Sequence, residues 1–496
     1  MTHRPEAPAV PAPSRDLAPR FLTGSLFRHV FVMASTAAIG LVAVFAVDLI
    51  NLFYISRLGE KEIAAAIGFA GVVGFFQISL AIGLTIGITA VVSRKIGAGQ
   101  RDEARRLAVH SLLLMTAICA VVGSGSVPFL HPMLRALGAS GETERLAARY
   151  LAITVHSLPL LGLGMAAAAL LRAAGDARRA MNVTLSAAFV TAALDPVLIF
   201  GAGLGLDGAA IAALVSRCVL AGVGLYGVMR VHRMLGPVER RWLARDARAL
   251  ATVAGPAVLT NFATPVAAAF VTHSIAQFGA SAVAGQAIVD RVTPVAFGLV
   301  YALSGAVGPV LAQNLGARQY DRVRQGFRDS LVFMVLAVGV AWGGLALGQG
   351  LIVRAFSAEG QAAQLIHAFC TWLAPGFFFI GALFVAQAAF NNLGRPLWST
   401  GLNWARATLG TIPFAWWGSR YGPVGVVAGQ MLGAVVFGSL SMWFAFRLMR
   451  GLGRHTGTAT PATSPTPQVP EAGCVPLPQA AEAGALAPLV HVETRH

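Results

Sequence analysis

Residues 96–106 read IGAGQRDEARR and residues 315–325 read LGARQYDRVRQ, so that Gly97, Ala98, Gln100, Asp102 and Arg105 return as Gly316, Ala317, Gln319, Asp321 and Arg324. The separation is 219 residues; it recurs for Gly175 and Gly394, while Gly59 and Gly279 lie 220 apart. Long apolar stretches flank both basic loops. A chain that repeats such a set folds as two related bundles of helices, and a site at the interface between them is expected.

Composition turns the apolar stretches into membrane spans. Of 496 residues, 56% are hydrophobic and 12% charged, against roughly 25% charged in a soluble domain. Many runs exceed the ~20 residues that cross the hydrocarbon core, without the alternation of a membrane barrel. The expected fold class is an all-α polytopic membrane protein. A net charge of +16 suits nucleic acid only when clustered; here the cations lie in loops between apolar runs and read as cytoplasmic anchoring. The expected partner is the lipid bilayer and not nucleic acid, and a monomer is expected. Cys119, Cys218, Cys370 and Cys474 show neither metal-ligand spacing nor a disulfide framework.

Twelve helices fit the pattern: 26–57, 61–95, 103–127, 143–173, 179–201, 207–231, 246–278, 281–314, 321–347, 362–392, 398–419 and 424–450. This divides the chain into a disordered N-terminus (1–25), a first lobe (26–231), a linker (232–245), a second lobe (246–450) and a Pro-, Thr- and Ala-rich disordered tail (451–496). Arg94, Lys95, Arg101, Arg105 and Arg106 follow the second helix, Arg172, Arg178 and Arg179 the fourth, and Arg318, Arg322, Arg324 and Arg328 the eighth. The segment after the sixth adds Arg230, Arg233, Arg240, Arg241, Arg245 and Arg248, with Trp242 suggesting an amphipathic piece on the membrane surface, the equal alternative being a plain charged linker. The positive-inside rule then puts these loops and both termini in the cytoplasm of a multi-pass inner-membrane protein. Six helices per half leave both halves in the same orientation, the parallel-repeat architecture.

No Walker A loop, HExxH, CxxC pair or nucleophile elbow occurs in the membrane region, so an ATP-driven pump or a protease is not indicated, and no catalytic residue, metal ligand or cofactor is assigned. Ionisable groups inside the membrane are the functional candidates instead. Asp48 in AVFAVDLINLFYISRLG lies ~15 Å below the outer end of the first helix, and Asp195 in TAALDPVLIFG lies ~9 Å below the same face. Pro196 opens the helix ladder beside Asp195, and Thr191 lies one turn before it, so Asp48, Asp195 and Thr191 form the candidate cation- or proton-coupling set. Asp290 is intramembrane too, either contacting substrate or pairing with Arg217 or Arg406. His156 and His273 read as packing residues. Phe45, Phe76, Gln77, Asp290, Phe297 and Tyr301 are the candidate substrate-cavity residues, with aromatic faces suited to flat hydrophobic cations.

Three segments carry a family resemblance. VDLINLFYISRLGEKEIAAAIGFA resembles the first helical hairpin of the multidrug and toxic compound extrusion (MATE) transporters; RAAGDARRAMN with LDPVLIFGAGLGLDGAAIAALVSR resembles their helices 4–6; the repeated loops complete the match over residues ~25–450. The resemblance implies two six-helix lobes forming a V-shaped transporter that exports amphipathic, often cationic drugs or toxic metabolites in exchange for protons or sodium. Its first-lobe coupling site maps onto Asp48 and Asp195. Where the family often has Asn and Thr, this chain has Thr191 and Ala213, and a second-lobe acid site is missing, since residues 247–289 and 360–400 contain no Asp or Glu. Fewer oxygen ligands around two neighbouring acids favour a proton over sodium, because desolvation and like-charge repulsion both favour the protonated form. Two rival readings stay open: a flippase for lipid-linked sugars of the same superfamily, drawing on Arg217, Arg291 and Arg406, and, more remotely, a membrane-embedded lipid-modifying enzyme.

Overall fold

The computed structural model describes residues 17–57 and 61–453; most of the two expected disordered termini lies outside them. Every regular element among the described residues is a helix. The first half runs α1 (Leu26–Arg57), α2 (Lys61–Gly97), α3 (Arg101–Ser126), α4 (Leu130–Ala136), α5 (Gly141–His156), α6 (Leu158–Ala173), α7 (Ala177–Pro196) and α8 (Gly205–Tyr226). The second runs α9 (Arg240–Ala276), α10 (Ala280–Ala296), α11 (Gly298–Gly316), α12 (Tyr320–Ala355), α13 (Gly360–Ala368), α14 (Phe377–Asn392), α15 (Pro396–Ala405), α16 (Ile412–Gly418) and α17 (Gly422–Gly451).

Among the described residues, nine stretches are long and apolar enough to span a membrane, and two bent pairs, α5 with α6 (49°) and α10 with α11 (48°), raise this to eleven. The 56-residue stretch Pro396–Gly451 is more than one span, since it doubles back at Gly422. Cβ atoms on Gly433, Gly429 and Gly425 would lie 1.8, 2.1 and 2.2 Å from the carbonyl oxygens of Gly410, Phe414 and Gly418, so α17 packs antiparallel on α15–α16. Two spans there make twelve in all. The bends have local causes: Pro159 stands at the start of α6, and Pro294 withdraws a donor just before the break at Phe297.

The repeat is visible in the backbone. Left-handed residues recur 219 positions apart: Gly99 and Arg318, Gly138 and Ser357, Gly141 and Gly360, Gly175 and Gly394, Gly203 and Gly422. Each pair marks the same turn in the two halves, even where the second copy has Arg318 or Ser357 in place of glycine. The two largest cores divide between the halves. At the Arg-rich ends they interleave: Leu26, Val30, Met33 and Ala34 of α1 belong to the second-half core, and Leu250 of α9 to the first.

Two expectations change. Residues 17–25 are packed rather than disordered, with Leu17 (3% exposed) in the first core and Phe21 (2%) in the second. Two apolar side chains in a short polar segment suffice to seat it across both lobes. Residues 240–245, expected in a linker lying on the membrane, form the first turns of α9, with Trp242 ringed by Arg106, Arg241 and Arg245 at 4.9, 5.8 and 4.9 Å.

Candidate functional site

Helices α1 and α7 run side by side in the same direction, and two contacts fix their register. A Cβ on Gly40 would lie 3.5 Å from Thr184, and the Tyr54 and Phe200 rings meet edge-on at 5.9 Å. Asp48 and Asp195 fall between these contacts at matching depth. Their charges are close enough to act on each other, and both act on Tyr150 of α5. Asp195 is 1% exposed, and neither of its carboxylate oxygens has a hydrogen-bond partner among the described residues. Asp48 is exposed.

Thr191 lies one helical turn before Asp195, and its hydroxyl donates to the Ala187 carbonyl at 3.1 Å. Ser216 of α8 donates to the same carbonyl at 2.9 Å. Both hydroxyl oxygens keep lone pairs free to accept. Pro196 has no N–H, so the carbonyl of Ala192 loses its partner in the ladder. Sequence reading missed three residues here: Ser216, Tyr150, and Asn51, whose buried Oδ1 has no partner. Asn51 was the legible one, three residues after Asp48 and hence on the same helix face.

Arg217 borders this group. Its guanidinium donates to the Thr154 carbonyl at 2.6 Å and the Ser157 hydroxyl at 2.7 Å, filling the gap opened by the bend between α5 and α6. The second half carries a looser counterpart: Tyr301 of α11 lies within electrostatic reach of both Asp290 and Arg406. Asp290 accepts a hydrogen bond from Gln286 at 2.8 Å, and Arg406 donates to Asn403 at 3.3 Å. Among the described residues, neither Arg217 nor Arg406 has an ion pair with Asp290.

The cavity candidates separate. Phe76 is 43% exposed and meets Phe262 of α9 at 5.7 Å, on the seam between lobes. Gln77 is buried with its Nε2 unpartnered. Phe45 is half-buried, and Tyr301, also half-buried, lies against Phe384 at 5.5 Å. Phe297 is fully buried and stacks on Phe377 at 3.9 Å, so it packs the bend between α10 and α11 instead of facing open space. His156 and His273 are exposed and not packing residues, and His156 bonds the carbonyl of Ala152 in its own helix.

Residues 37–197 and 256–417 each match the MatE family, and the second match begins 219 residues after the first, the spacing of the internal repeat. The chain belongs to the MatE family. Members of this family are transporters and not enzymes. The MatE chain described here is 31% identical over 408 residues to an FAD transporter of Shewanella oneidensis, covering 80% of this chain and 89% of that one. It is 23% identical to the multidrug export protein MepA of Staphylococcus haemolyticus, covering 87% and 96%. A solved outward-facing multidrug resistance MATE transporter shares its fold, with a TM-score of 0.82 over 88% of this chain and 98% of that one at 21% identity.

Proposed function

We propose that this MatE protein exports amphipathic, often cationic small molecules across the inner membrane by exchange for protons, acting as a monomer with both termini in the cytoplasm. The observation that carries the proton reading is the pair of partnerless, buried oxygens of Asp195 beside Asp48. A carboxyl group buried without donors is cheapest to keep with a proton on it, and that proton leaves when the site is wetted. Sodium would need several oxygen ligands at once; Thr191 one turn before Asp195, Asn51 one turn after Asp48 and the Ala192 carbonyl freed by Pro196 are oxygens that adjoin the two acids along their own helices.

The cytoplasmic assignment of the Arg-rich side rests on the positive-inside rule. Exchange through one site fits a cycle in which protonation from outside releases the cargo, and a fresh cargo displaces the proton inside. The test is ethidium efflux from proteoliposomes. A pH gradient without sodium should drive it; efflux driven by a sodium gradient at equal pH, and indifferent to a pH gradient, overturns the proton reading.

A second reading, an anionic cargo, is favoured by Arg217 and Arg406, which have no carboxylate within ion-pair distance among the described residues although both lie inside membrane spans. The FAD-transporting relative points the same way. Parallel efflux assays with a flavin nucleotide and with a lipid-linked sugar discriminate the cargo classes.

A further inference from the structure

Helices α6 and α14 are the same element in the two halves, and they end the same way. At each C-terminus a left-handed glycine, Gly175 or Gly394, lets the chain fold back, and the next N–H closes the last turn: Asp176 to the Leu171 carbonyl and Arg395 to the Phe390 carbonyl, both at 2.9 Å. The final carbonyls, Ala173 and Asn392, lie beyond reach of this cap and need donors from elsewhere.

The donors come from the opposite lobe. Gln313 Nε2 of α11 reaches the Ala173 carbonyl at 2.7 Å, and Arg94 Nη2 of α2 reaches the Asn392 carbonyl at 2.7 Å. Residues 94 and 313 are 219 apart, and so are residues 173 and 392. The two bonds are therefore one interaction repeated about a twofold axis. Between them α2 and α11 cross in near-contact, because a Cβ on Gly97 would lie 2.0 Å from the Gln313 carbonyl oxygen and one on Gly316 would lie 2.1 Å from that of Arg94.

The Gln313 half is fastened further. Its Oε1 accepts from the Phe21 N–H at 3.1 Å, Asn314 and Arg322 both donate to the Phe21 carbonyl at 3.1 Å, and Arg322 donates to the Gly24 carbonyl at 3.1 Å. Gln313 thus holds the segment before α1 with one end of its amide and the other lobe's helix with the other end.

We propose that Arg94 and Gln313 are the paired gate residues of this transporter: each latches its own lobe to the uncapped, buried helix end of the other on the Arg-rich side, and both latches release when the site opens there. A donor pointing at a helix C-terminus is favoured by the partial negative charge that collects at that end. Separating the lobes strands both carbonyls, so water has to replace the lost donors as the gap widens. The segment at Phe21 makes the Gln313 latch the slower to yield, and opening begins at Arg94. The proposal rests on the exporter reading only for the meaning of the open state, and the test reads the gate whether or not any compound is moved.

The test measures the distance between the lobes on the Arg-rich side in reconstituted full-length protein. Spin labels go on cysteines replacing Arg178 and Leu397, exposed positions 219 residues apart, with the native cysteines replaced. Arg94→Leu and Gln313→Glu should each enlarge the long-distance population at least threefold over the parent, and the double variant should enlarge it further. Gln313→Glu, measured at alkaline pH so that the carboxyl is ionised, keeps the acceptor for Phe21 but faces the Ala173 carbonyl with an oxygen, so it removes the cross-lobe bond alone. Arg94→Lys, which still offers a donor, should restore the parent distribution. If Arg94→Leu does not reach the membrane, Arg94→Gln, whose amide is too short to reach Asn392, is measured in its place. Distance distributions for both single variants and the double that superimpose on the parent overturn the proposal, as does an Arg94→Lys distribution that matches Arg94→Leu.

Discussion

His232 Nε2 lies 2.8 Å from Asp176 Oδ2, so the first residue after the sixth span is tied to the residue that caps α7. Asp176 also accepts from the backbone N–H of Arg179 at 3.1 Å and pairs with the Arg179 guanidinium. Burial pushes this carboxyl up, but the hydrogen bonds from His232 and Arg179 outweigh burial and hold it well below the usual carboxylate range. A group whose folded-state value is depressed stabilises the fold above its unfolded value, ~3.9 for Asp, and loses that contribution as the pH falls toward its folded value. Asp176→Asn should therefore cost about 1–3 kcal/mol at pH 7. Thermal unfolding in detergent should show the variant melting a few degrees lower at pH 7, with the gap to the parent closing as the pH falls below 4; a gap independent of pH would mean that the charge contributes nothing.

Asp48→Asn and Asp195→Asn change neither volume nor shape but remove the titrating proton. Each is expected to insert normally and to lose pH-driven ethidium efflux at least tenfold. Well-expressed variants that still respond to an imposed pH gradient would reduce these acids to packing residues.

Gly97→Ala and Gly316→Ala each drive a methyl group into the opposing backbone. Both should destabilise the closed arrangement by about 1–3 kcal/mol, and by similar amounts because the positions are equivalent. Gly71→Ala and Gly74→Ala are the controls, since a Cβ at either meets nothing within 4 Å. Melting temperatures of the four variants would show the contrast; an equal effect at all four would point to helix propensity instead of the crossing.

The positive-inside assignment places Arg240 and Asp207 on opposite faces of the membrane. Single cysteines at the two positions should differ in labelling by an impermeant maleimide, with only the Asp207 site reached from outside intact cells. Labelling at both sites would break the twelve-span topology.

The repeat and the span limits were legible because each rests on local signals: a glycine at a required left-handed turn, or an apolar run of fixed length. Facing was harder to read. In a helix apolar on all sides no stripe marks the packed face, which is why Phe297 reads as a cavity candidate while its ring is stacked on Phe377. The acids at 48 and 195 stood out since charge is rare inside a span, whereas Tyr150 and Ser216 carry no such mark. Arg94 and Asn392 are 298 residues apart, and only the 219-residue offset, applied to both ends of the Gln313 bond, would have paired them in advance.

The segment before α1 leaves the ribosome ahead of every helix described here, yet its partners are among the late arrivals. Phe21 waits for Gln313, Asn314 and Arg322, which are 292, 293 and 301 residues further along the chain. At about 5–20 residues per second of synthesis, the first helix spends roughly 15–60 s in the membrane before that segment can be seated. During biogenesis the lobe made first is therefore an unlocked half-protein, and the appearance of the eighth span is the earliest moment at which the nascent chain can close on itself.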